Sequence, residues 1–169
     1  MRDPKLSVMP DGRLMVIMGG NMCEGRKIKS QWTYVAFSED GEHFSELQPV
    51  VLDSQITGNR EWIWHVTWHK GTGYGVIYGS DFVTVKTTDG IHYDLLGRLE
   101  QPYRGSEATV DFLSDGTMLL IARRKNPHEA VGGWAVSKPP YTDYEWKDMN
   151  IVLGGPDMMV LNDSTCILG

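Results

Sequence analysis

Ser38-Glu39-Asp40-Gly41-Glu42-His43-Phe44 and Thr87-Thr88-Asp89-Gly90-Ile91-His92-Tyr93 carry one pattern, hydroxyl-x-Asp-Gly-x-His-aromatic, 49 residues apart. Two unrelated loops rarely share so many positions, so the chain reads as a repeat protein. The pattern also has a mechanical meaning. The hydroxyl and the Asp bond nearby backbone amides, Asp-Gly makes the tight reversal, and the aromatic ring plugs back between neighbouring strands. A looser third copy, Ser137-Lys138-Pro139-Pro140-Tyr141-Thr142-Asp143-Tyr144-Glu145-Trp146, starts 50 residues after the second, its turn lengthened by two prolines.

A second regular element precedes each copy, a hairpin turning at Pro10-Asp11-Gly12, at Lys70-Gly71-Thr72-Gly73 and at Ser114-Asp115-Gly116, and a fourth turn stands at Asn162-Asp163. Each unit is then four antiparallel strands in about 40 to 50 residues, the repeat length of a β-propeller blade. The expected fold is all-β, a single partial propeller with units at 1–53, 60–100, 105–150 and 154–169. That is three blades and the first hairpin of a fourth, so closure of a ring calls for further blades or for a second copy in a homodimer.

Strand chemistry agrees. Leu14-Met15-Val16-Ile17-Met18 and Met118-Leu119-Leu120-Ile121-Ala122 are unbroken apolar runs suited to strands covered on both faces, whereas Val83-Thr84-Val85-Lys86 alternates like a half-exposed strand. Pro49 cannot donate to a ladder and marks an outer edge. No long stretch has helical apolar spacing.

With 16 basic and 22 acidic residues spread without runs, the net charge of −6 disfavours a nucleic-acid or anionic-membrane partner. Cys23 and Cys166 have neither metal-site nor disulfide-framework spacing and are read as free, buried thiols. No apolar run reaches transmembrane length, and Arg2-Asp3-Pro4 follows Met1 without a signal peptide, which leaves the compartment open.

The stretch Trp62-Ile63-Trp64-His65-Val66-Thr67-Trp68-His69 opens the second unit. Strict alternation puts Trp62, Trp64, Val66 and Trp68 on one face and Ile63, His65, Thr67 and His69 on the other. A packing stripe explains the tryptophans, with sugar stacking as the alternative for Trp62 or Trp64. A metal shared by His65 and His69 fails, since four strand residues span about 13 Å. Neither a metal nor another cofactor is expected. His65 stays a candidate pocket residue.

Arg2-x-Pro4-x-Leu6, followed by Pro10-Asp11-Gly12-Arg13-Leu14 and the Asp box at Ser38 to Phe44, resembles the opening blade of the sialidases, six-bladed Asp-box propellers whose first catalytic arginine sits in an Arg-Ile-Pro motif. Ser106-Glu107-Ala108-Thr109-Val110, Asp115-Gly116 and Leu119-Leu120-Ile121-Ala122-Arg123 resemble the sialidase blade that carries a glutamate paired with the nucleophilic tyrosine and, one hairpin later, a second arginine. Glu107 and Arg123 are 16 residues apart, so a strand that crosses to the Asp115-Gly116 turn and returns brings them to one rim. The resemblance implies a glycoside hydrolase acting on a terminal sugar, with the choice between an acidic and a neutral one left open by the residues. In that reading Arg2 and Arg123 clamp a carboxylate, Glu107 is a base, and His65 or Trp64 shapes the sugar site, while Asp3 at the same rim is the second member of an acid/base pair only for a glycosidase of another mechanism.

Two departures count against full carry-over. The stretch Gly19 to Thr33, where sialidases hold an acid/base aspartate, has no Asp and a single carboxylate, Glu24. The family's nucleophilic tyrosine and third arginine belong to later blades, and Tyr103 and Tyr141 sit in turn-like contexts that suit neither role. The competing class is a non-catalytic carbohydrate-binding or interaction propeller.

Overall fold

The computed structural model describes residues 1–99, 104–125 and 131–169, with the backbone alone at Arg104 and Lys125. Among them there is no helix. The first sheet runs β1 (Arg2–Val8), β2 (Leu14–Glu24), β3 (Lys27–Ser38) and β4 (Gln48–Pro49) in spatial as well as chain order, with β4 at its edge. After β5 (Val51–Leu52), the second sheet takes β6 (Glu61–His69), β7 (Thr72–Gly79), β8 (Phe82–Thr87) and β9 (His92–Arg98). β5 pairs parallel to β9, so the end of the first unit straps onto the second. The third sheet is β10 (Arg104–Phe112), β11 (Met118–Lys125), β12 (Val131–Ser137) and β13 (Glu145–Val152), and a hairpin of β14 (Met158–Asn162) and β15 (Thr165–Leu168) follows. These are partial propeller blades built from antiparallel meanders.

The blades meet through two apolar layers. Met15, Ile17 and Val35 of the first blade interlock with Ile63, Val66, Ile77, Val83, Val85 and Tyr93 of the second. Val76 of the second packs with Ala108, Val110, Leu120, Ala122, Ala135 and Tyr141 of the third. Burying such side chains yields about 25 cal/mol per Å², which makes these layers the main cohesive term. Polar cross-links set the register: the Ile63 amide donates to Thr33 Oγ1 at 2.8 Å, and Thr67 Oγ1 donates to the Val110 carbonyl at 2.6 Å.

The two repeated Asp-Gly turns form as their chemistry requires. Asp40 Oδ1 accepts from the Glu42 and His43 amides, and its Oδ2 meets His43 Nδ1 at 2.8 Å. Asp89 does the same with the amides of Ile91 and His92 and with His92 Nδ1. Gly41 and Gly90 take φ of 80° and 79°, which a side chain resists.

Several expectations are corrected. Alternation in β6 breaks, because the β6–β7 register shifts between Ile63 and Val66. This bulge brings Ile63 and Val66 into one layer with Trp68, while His65, Thr67 and His69 face the third blade. Val83, Thr84 and Val85 are all buried, because β8 is covered by blades on both faces and only Lys86 emerges. Cys23 and Cys166 are free but exposed, one near the β2–β3 tip and one on the last hairpin. Phe44 does not pack inward. It is 41% exposed, on a flank of the first blade. There it lines a groove of about 800 Å³ with Leu6, Val16, Met18, Ala36 and Leu47.

Candidate functional site

Three inner strands bulge at the same level. The β1–β2 register shifts between Arg2 and Lys5, the β6–β7 register between Ile63 and Val66, and the β10–β11 register between Gly105 and Ala108. The residues released from strict pairing include Asp3, Trp64, His65 and Glu107. A bulge re-aims the side chain it carries, so the repeat sends a chosen residue of each blade toward a shared rim. At Asp3 the backbone reaches φ of 52°, a left-handed conformation that a short polar side chain tolerates.

At the rim, Arg123 Nη1 donates to Glu107 Oε2 at 2.8 Å, with Glu107 mostly covered and Arg123 partly open. The neighbouring Arg124 turns the other way. It is 1% exposed, pairs with Asp148 and donates to the Gly132 carbonyl, so adjacent arginines serve opposite faces of β11. Arg2 Nε donates to Asp3 Oδ2 at 2.8 Å, and its guanidinium lies 5.4 Å above the Trp62 ring. The Asp3 hydrogen bond raises the Arg2 pKa first, and Glu107 contributes in the same direction.

Tyr78, at the end of β7 opposite Trp62, joins these groups. Burial pushes its hydroxyl above the ordinary value. Glu107 and Asp3 push the same way, while Arg2 and Arg123 pull it down. One phenol therefore senses all four charged candidates and stays a protonated donor. Its ring stacks on Trp62 at 5.7 Å and 20°. Trp62 in turn fills the space over Gly19, where an added Cβ would come within 2.3 Å of the indole.

One layer deeper, His65 Nδ1 lies 3.0 Å from Thr109 Oγ1 and 3.2 Å from Asp157 Oδ1. Lys5 Nζ stands 3.8 Å from Asp157 Oδ2 and 4.7 Å from the centre of the Trp64 ring. The His65 hydrogen bond holds the Asp157 carboxyl below the usual range, against an opposing push from burial. Lys5, His65, Thr109 and Asp157 come from the four successive units. Trp64 is buried, its Nε1 donating to the Pro156 carbonyl at 2.9 Å, so its ring packs under Lys5.

The structure thus pairs Glu107 with Arg123 and Arg2 with Asp3, all within electrostatic reach of Tyr78, with Trp64 6.3 Å from the Tyr78 ring and His65 held by Thr109 and Asp157. Glu24 ion-pairs with Lys29 at the exposed tip of the β2–β3 hairpin. Tyr141 is buried, with its hydroxyl donating to the Gly116 carbonyl. Tyr103 lies outside the described residues. Sequence reasoning missed Tyr78 and Asp157. The first is marked only by its cross-strand position opposite Trp62, the second by its place after Gly154-Gly155-Pro156, just before the inner strand of the last unit. Among the described residues no group of three or more His, Cys, Asp or Glu is placed to hold a metal ion.

No known protein-family model and no curated protein matches the sequence. Solved structures do. A protein of unknown function from Dyadobacter fermentans superposes with a TM-score of 0.81 at 14% identity, covering 99% of this chain and 56% of that one. The Bombyx mori GH32 beta-fructofuranosidase BmSUC1 gives 0.54 at 14% identity over 87% of this chain and 36% of that one. An N-acetylgalactosamine deacetylase from F. plautii, in complex with blood group B trisaccharide, gives 0.51 at 14% identity over 72% and 40%. The chain spans about half or less of the length of these structures. It shares a β-fold with carbohydrate-active proteins.

Proposed function

We propose that the rim is a saccharide site and that the chain carries part of a sialidase-like glycoside hydrolase acting on a terminal sugar. The observation that carries this reading is the Glu107–Arg123 pair, 2.8 Å apart at a bulge of the third inner strand, sharing an electrostatic neighbourhood with Tyr78, Arg2 and Asp3. Two carboxylates on the first and third inner strands, with β6 between those strands, are the elements of acid/base hydrolysis. Glu107 is the general base that draws a proton from the attacking group, and Asp3 is the second carboxylate. Arg2, Arg123 and the Tyr78 hydroxyl orient the ring, with His65 and Trp64 forming the floor.

A panel of 4-nitrophenyl glycosides tests the proposal. Release of nitrophenol is expected to fall by at least about a hundredfold in Glu107→Gln, with the β-sheet circular dichroism unchanged. A second reading, non-catalytic saccharide binding, is favoured by the placement of Glu24, the one carboxylate of the 19–33 stretch, out at the hairpin tip. Binding without release from any glycoside would select it.

A further inference from the structure

Charge at this site is balanced pair by pair. Arg123 is held by Glu107 and Arg2 by Asp3, each at 2.8 Å. One layer down, Asp157 stands between Lys5 and His65. Arg2, Arg123 and Lys5 thus face Asp3, Glu107 and Asp157. A ligand carboxylate brought to either arginine meets the carboxylate already there, and attraction and repulsion at similar distances offset each other. Displacing Glu107 would also strip its partner from a carboxylate whose side chain is only 15% exposed.

A neutral vicinal diol meets no such conflict. An ion pair presents an N–H donor and a carboxylate acceptor side by side. Two adjacent sugar hydroxyls answer it, one accepting from the guanidinium and the other donating to the carboxylate. The rim offers two such pairs with the Tyr78 hydroxyl in the same neighbourhood, which is the arrangement expected for a polyhydroxyl ring.

Building on the saccharide reading of the rim, we infer that its ligand is a neutral sugar, held through vicinal hydroxyls by the Glu107–Arg123 and Arg2–Asp3 pairs, and not a carboxylated one. The test pairs the methyl glycosides of galactose, glucose and mannose with their own uronates, which differ only in a hydroxymethyl or a carboxylate at C6, and adds N-acetylneuraminate. Titration by saturation-transfer NMR at low and moderate salt is expected to show at least one neutral glycoside binding about tenfold more tightly than its uronate, with an affinity that salt leaves unchanged.

Glu107→Gln removes one negative charge at constant shape. It is expected to raise uronate affinity about tenfold, make it salt-dependent and weaken the neutral sugar. Asp3→Asn, at an open strand end, is expected to act in the same direction and serves if the first variant does not fold. Tighter binding of any uronate or of N-acetylneuraminate by the unmodified chain would overturn the inference, as would a uronate-to-neutral ratio unmoved by both variants. Failure of every probe to bind would instead remove the saccharide reading itself, and the inference with it.

Discussion

The turns at Ser38–Phe44 and Thr87–Tyr93 share one hydrogen-bond network, yet their closing rings have opposite fates. Tyr93 is 1% exposed and wedged between the first two blades, whereas Phe44 is 41% exposed. Gly90, beside Tyr93, backs onto Met15 and Phe37 of the preceding blade, while Gly41 has only Leu14 of its own sheet within reach. The turn is local chemistry that seven residues specify by themselves. Burial of the ring is a property of the sheet in front of it, and Tyr93 addresses the blade that precedes its own. In the third unit Tyr141, inside the lengthened turn and not at its closing position, packs against Tyr74 of the second blade and Phe112.

Truncation of the two rings should separate these contributions most strongly. Tyr93→Ala leaves a cavity inside a closed layer and is expected to cost about 3–5 kcal/mol in urea unfolding, in line with other large aromatic deletions. Phe44→Ala in a dilute solution is expected to cost under about 0.5 kcal/mol, as for an exposed site. The flank around Phe44 also exposes Leu6 at 58%, Val8 at 63% and Leu47 at 42%. That much contiguous apolar surface favours association of copies of this chain. Light scattering across a dilution series is expected to show a mass above the monomer that falls on dilution, and Phe44→Asp should shift it to the monomer. Equal costs for the two alanine variants in a chain that stays monomeric would break the comparison.

The glycines give the next largest difference. Both have positive φ, so an added Cβ costs about 1–2 kcal/mol at either position. At Gly90 it would also come within 2.7 Å of Met15 Sδ and 3.2 Å of the Phe37 ring, whereas at Gly41 the nearest atom is Leu14 Cδ1 at 3.4 Å. Gly90→Ala should therefore lower the unfolding midpoint clearly more than Gly41→Ala. Matching midpoints would mean that Met15 swings aside freely, and that the layer in front of the second blade is less rigid than its burial suggests.

The same division between local and tertiary causes explains what the sequence disclosed. Asp-Gly turns, hydroxyl staples and apolar runs are short-range signals, so the repeat and the blade pattern were legible, as was the Glu107–Arg123 meeting across one hairpin. The bulge at Trp64 and His65 was not. Alternation is a rule of unbroken pairing, and nothing in Trp62–His69 announces an unpaired residue, so Ile63 and Val66 were placed on opposite faces although they share a layer. Tyr78 and Asp157 became visible only when separate units were brought to one axis. Phe44 was misplaced because its pattern promises a ring packed between strands, and in the first blade, among the described residues, that ring stays 41% exposed.

The smallest expected effect concerns acid, and it tests whether the two turns are as alike as their geometry. Asp40 is held well below the usual carboxylate range by the His43 amide, the His43 ring and the Glu42 amide. At Asp89, burial pushes upward, but the His92 amide and ring, the Ile91 amide and Thr87 outweigh it and set the value at about 2. A carboxyl whose pKa is lower in the folded than in the unfolded chain adds stability that is fully present above the unfolded value, about 4. That stability is lost as pH falls through the folded value. Unfolding midpoints should therefore decline as pH drops from about 4 toward 2, and Asp40→Asn and Asp89→Asn should each flatten part of that decline by comparable amounts. Both carboxylates are about half exposed, so the effect is modest and weakens with salt. Should only Asp89→Asn flatten the curve, the stapled turn would owe its acid sensitivity to the packed ring beside it, and the separation of turn from burial would fail.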